Sequence, residues 1–196
     1  MHFRHIVNLV ALALAMESIA AMITKCKNSN VVHTRNLQFG EDTVEVKTIS
    51  CPGLRSLFPA NDGTSISSSS ALSRRTASKC TEPAECQCGL TCSGECESNG
   101  QAPPLIADCQ KLTTLFTVNP TTFFLEVDQF ADTALETCEY VVFNLRNSEI
   151  EFCDDDWVDI GLQFAQACVP AGFDAGFCEP ADRAIAVEFI PLSNEF

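Results

Sequence analysis

The chain has 196 residues, 12 of them cysteine, and 26 acidic side chains against 12 basic ones give a formal net charge of −14. An acidic surface repels nucleic-acid phosphates and anionic lipid headgroups, which argues against nucleic-acid partners and a polybasic membrane anchor. An even cysteine count at this density reads as a disulfide framework, and such frameworks persist outside the reducing cytosol.

Residues 1–20 have the layout of a secretory leader. Arg4 lies in a short positive region, residues 6–16 are apolar, and Ser18 and Ala20 place small side chains before a cut after Ala20. The apolar run is shorter than the ~20 residues a bilayer-spanning helix needs, so no membrane span is expected.

Residues 21–60 hold the first cysteine pair, Cys26 and Cys51, and Thr43–Ile49 alternates β-branched with charged side chains as a strand does. Residues 61–79 are Ser-rich, have few large apolar groups, and read as a linker. Arg74-Arg75 within it is a candidate processing site, because exposed linkers are where proteases cut and a dibasic pair resembles the target of secretory-pathway processing proteases. A cut there would make residues 21–60 a pro-region. The net charge is +3 over residues 22–75 and −17 over residues 76–196.

Residues 80–196 read as a cysteine-rich acidic domain. Cys80, Cys86, Cys88, Cys92 and Cys96 crowd its start, followed by Cys109, Cys138, Cys153, Cys168 and Cys178. Disulfide geometry disfavours a bond between Cys86 and Cys88, so each is expected to reach a different partner. Long links from Cys109 to Cys153 or Cys168, and from Cys138 to Cys178, are plausible expectations. Residues 104–116 read as a helix, Thr122–Phe130 and Thr137–Leu145 as strands, the second buried on both faces. Asp154–Cys168 is the clearest helix, with Trp157, Ile160, Gly161, Phe164 and Cys168 on one stripe and three aspartates at its positive end. Ala184–Pro191 reads as a last strand. The predicted class is α+β: a disulfide-rich two-layer sandwich, its small antiparallel or mixed sheet packed on two helices in the order α-β-β-α-β.

Candidate chemistry is sparse. The histidines are His2, His5 and His33, none of them in residues 76–196, so an isolated C-terminal domain has no histidine-based catalysis or metal ligation. A carboxylate-pair hydrolase is the remaining enzymatic option. Thiolate metal binding by Cys86–Cys96 is less expected than disulfides, and calcium binding by Asp154–Asp156 with Asp159 less expected than helix-end stabilisation. No catalytic residue, metal or cofactor is therefore predicted. Trp157 and Tyr140 are candidate partner contacts, although their positions on apolar elements also suit a core.

The segments Asp108-Cys109, Cys138-Glu139-Tyr140-Val141-Val142 and Asp155-Asp156-Trp157-Val158-Asp159-Ile160-Gly161 resemble those of small secreted cysteine-rich proteins of fungi. More distantly, residues 105–190 resemble the killer-toxin-like and necrosis-inducing effector group, which shares the α-β-β-α-β order. The expected function is a secreted, extracellular effector or toxin-like protein that recognises a surface without catalysis, its partner an extracellular protein or glycan. The alternatives are a carbohydrate-binding, lectin-like module and a structural cell-wall protein.

Overall fold

A computed structural model describes Cys26 and residues 28–39, 42–58, 80–82, 84–118, 120–180 and 184–192. The expected leader with Ala20, and the expected linker 61–79 with Arg74-Arg75, lie outside the described residues.

The protein is α+β. Nine strands and two α-helices are described: β1 (Asn30–Phe39), β2 (Asp42–Ser50), β3 (Ser93–Glu97), α1 (Ile106–Val118), β4 (Thr122–Leu125), β5 (Gln129–Leu135), β6 (Cys138–Asn144), β7 (Ile150–Cys153), α2 (Asp154–Cys168), β8 (Ala175–Glu179) and β9 (Ile185–Pro191). Seven strands form one sheet in the order β1-β2-β5-β6-β9-β8-β3, and β4 pairs with β7 in a second. All the strand pairings are antiparallel.

The expected order needs correction. The main sheet is large, and the chain adds β3, β7 and β8 to the expected elements. Thr122–Phe130 is two strands of different sheets, separated by a turn in which Asp128 takes a positive φ of 60°. The N-terminal segment is also part of the main sheet, through pairing of Val46–Ser50 with Gln129–Thr133.

Strand alternation gives the main sheet two different faces. Val44, Val46, Tyr140, Val142, Val187 and Phe189 pack with Leu112, Phe116, Trp157 and Ile160 of the helices. Phe130, Val141, Phe143, Phe177 and Ile190 point the other way and form a second cluster with Cys26, Cys51 and Leu54. A strap from Cys51 to Phe58, containing a 3₁₀ turn at Leu54–Leu57, contributes to that outer cluster, and the Phe58 ring meets Phe143 edge-on at 5.0 Å.

All twelve cysteines are paired: Cys26–Cys51, Cys80–Cys86, Cys88–Cys153, Cys92–Cys178, Cys96–Cys168 and Cys109–Cys138. Cys86 and Cys88 do reach different partners. The expected links from Cys109 to Cys153 or Cys168 and from Cys138 to Cys178 are replaced. Cys138 opens β6 on the face that receives α1, so Cys109 bonds it directly, while Cys153, Cys168 and Cys178 are taken by the 88–96 cluster. None of the six disulfides joins residues 26–58 to residues 80–192.

Candidate functional site

An open cleft of about 570 Å³ lies where the β1–β2 hairpin meets β4. The hairpin contributes Val32, His33, Arg35, Val46 and Thr48, and the body contributes Thr122, Phe123, Phe124, Glu126, Gln129 and Glu149. His33 and Arg35 are two residues apart on β1, the spacing that puts strand side chains on one face. The consecutive Phe123 and Phe124 must take opposite faces of β4, and Phe124 is 40% exposed.

Hydrogen bonds fix the walls. Arg35 Nη1 donates to Thr121 Oγ1 at 2.7 Å, and its Nη2 lies 3.4 Å from the buried Asp154 carboxylate. The same carboxylate accepts from the Thr121 backbone N–H and hydroxyl at 2.7 and 2.6 Å. Burial nevertheless raises the Asp154 pKa above its ordinary value, against the opposing pull of Thr121 and Arg35. At the other wall the side-chain amide oxygen Oε1 of Gln129 accepts from the Glu126 backbone N–H at 3.0 Å. Asn144, fully buried, donates to the carbonyls of Leu125, Glu126 and Ser148 at 2.9, 3.0 and 2.9 Å, clamping the turn that follows β4 to the turn that precedes β7. Glu149 titrates above its usual range because of desolvation, with repulsion from Glu85 and Glu126 adding to the effect.

Below the cleft, Phe123 lies 5.6 Å from Trp157, ring centre to ring centre. Trp157 and Tyr140 are both 0% exposed, which removes them as partner contacts. Trp157 is wedged between Phe123 and Phe116, and the Tyr140 hydroxyl donates to the Cys109 carbonyl at 3.1 Å. Both belong to the core because they point from their elements into the layer between sheet and helices.

The acids at the start of α2 pin the cysteine-rich loop. Asp156 accepts from the Gly89 N–H at 2.6 Å, while the helix's N-cap is Cys153, with no side-chain cap bond. Just upstream, buried Glu151 accepts from Thr81 N–H, Thr81 Oγ1, Glu82 N–H and Thr122 Oγ1 at 2.9, 3.1, 2.7 and 2.6 Å. Burial opposes its ionisation, but these bonds outweigh it and hold its pKa below the usual value. Asp174 does the same job farther along the loop, accepting from Asn99 and Gln101 N–H at 2.6 and 2.7 Å. Two groups of three residues bring ligand-type atoms within 4.8 Å: Cys80, Cys88 and Cys153, and Cys153, Asp155 and Asp156. The cysteines in both groups are in disulfides, so they offer no thiolate.

Sequence reading missed every residue that lines the cleft. The available signals were His33 and Arg35 at same-face spacing and a Phe-Phe pair in a strand. What hid the site is the packing of the separate β4–β7 sheet against the β1–β2 hairpin, which brings residues 32–35 beside residues 122–126. Among the described residues, no helix is long and apolar enough to cross a membrane. Comparisons with protein-family models, curated proteins and solved structures found no match to this chain.

Proposed function

We propose that the protein is an exported recognition protein that works by contact rather than catalysis, with the hairpin–β4 cleft as its contact surface. The observation that carries this reading is the make-up of the cleft: an exposed aromatic ring, Phe124, beside hydrogen-bonding side chains that other contacts already hold in place. Preorganised polar groups around an apolar platform lower the entropic cost of binding. Six disulfides suit an oxidising extracellular setting, where they also resist unfolding and proteolysis. An effector role at a foreign cell surface fits this reading.

A carbohydrate ligand is the second reading, favoured by Phe124 together with Thr48, Gln129 and Glu126, since sugars are held by an aromatic platform and a ring of hydrogen-bonding groups. Purified protein applied to a glycan array and to intact cells separates the two. Selective, saturable glycan binding supports the carbohydrate reading, and cell binding or cell death without glycan binding supports a protein target. Absence of both contradicts the recognition reading.

A further inference from the structure

The outer face of the main sheet carries a row of ionisable side chains that the cleft does not use. Strand register aligns Lys47 with Asp132, Asp132 with Val141, Val141 with Glu188, Glu188 with Phe177, and Phe177 with Glu95, from β2 across to β3. Glu139 and Glu97 lie two residues along β6 and β3 on the same face. Glu188 is 0% exposed and neither carboxylate oxygen has a hydrogen-bond partner; Glu139 is 2% exposed and its Oε2 has none.

A buried carboxylate without partners is expensive to ionise, so such a group keeps its proton or holds a cation. The geometry favours the proton, because neither group of three clustered ligand atoms among the described residues lies on this face. The charges facing Glu188 are mostly of its own sign: Glu97 and Glu95 from β3, Glu139 from β6, Asp132 from β5, and Glu45 from β2. Among the described residues, Lys47, on β2, is the cation that the strand register aligns with the row. The hydrophobic part of the same face is where the Cys51–Phe58 strap packs.

We propose that this face is a proton-operated lock: with Glu139 and Glu188 protonated the face and its strap stay closed, and loss of those protons to water opens them. The opening follows from charge. Two carboxylates ionised in one apolar layer repel each other and draw in water, and no disulfide ties the strap that shares the layer to residues 80–192. Burial, with repulsion from Asp132, raises the pKa of Glu139 to about 8. Burial likewise raises Glu188 well above its ordinary value, with repulsion from Glu97 and Glu139 adding to the effect. In the unfolded chain both ionise near 4.5. The folded protein therefore holds protons that the unfolded chain has released. The stability these two protons contribute is fully present below pH ~4 and is lost as pH rises through the folded-state values, about 8 for Glu139.

The test is the thermal midpoint of the full chain from pH 6 to 9, compared with the double variant E139Q/E188Q. The wild type should lose on the order of 10 °C across that window, and the variant should stay level. A flat or rising wild-type profile, or a fall that survives in the variant, overturns the lock. If the variant does not fold, the infrared spectrum of the folded wild type decides. A protonated-carboxyl band present at pH 7 and lost by pH 9 supports the proposal, and absence of that band at pH 7 overturns it.

Discussion

Buried carboxylates divide this molecule's residues into two kinds. Glu151, Asp154, Asp156 and Asp174 stay buried because each accepts hydrogen bonds from backbone N–H groups in other segments. Glu188 has no partner on either carboxylate oxygen and Glu139 none on Oε2, so burial favours the protonated form of both. Sequence placed three aspartates at the positive end of a helix, which holds, but the bonds of Asp156 to Gly89 and of Asp154 to Thr121 depend on residues 67 and 33 positions away in the chain. Glycines carry a second residue-scale constraint. A methyl group on Gly161 would overlap the Tyr140 ring, and one on Gly94 would overlap the Phe177 carbonyl. Gly161→Ala should therefore cost about 1–3 kcal/mol, read as a lowered midpoint in denaturant at unchanged slope. A midpoint equal to that of the wild type would mean that α2 does not lie so close to β6.

At the scale of elements, the legible parts were those with strong periodicity. The second helix was predicted to the residue, and β2, β6 and β9 nearly so, because each has a buried apolar stripe or run. The strands β3, β7 and β8 are only 5, 4 and 5 residues long and contain Gly or Cys, so their pairing follows from disulfides and neighbours rather than local pattern. The β1–β2 hairpin illustrates the limit best. Its residues read as a separate segment, yet β2 pairs with β5, and Arg35 bonds Thr121 and Asp154 across the seam. Because no disulfide crosses that seam, these contacts hold the hairpin in place. Arg35→Ala should destabilise the protein by about 1–2 kcal/mol. It should also speed hydrogen exchange at Thr48 and Ile49 while leaving Val142 and Val187 protected. Equal loss of protection in all four amides would show that the hairpin does not move as a unit.

Across the whole molecule, the sequence announced an α+β, disulfide-bonded protein but not the surface it offers to others. Trp157 and Tyr140, the aromatic residues that drew attention first, fill the core; Phe124, one of 14 phenylalanines, was indistinguishable from its neighbours until the sheet order was known. The seam between hairpin and body, crossed by no disulfide, is the place where the cleft forms. Whether partners dock at that seam is read from the binding of Phe124→Ala to the glycans or cells that capture the wild type. A roughly tenfold weaker binding by a variant of unchanged thermal midpoint is the predicted result. Undiminished binding by the variant would place recognition elsewhere on the protein and contradict the account.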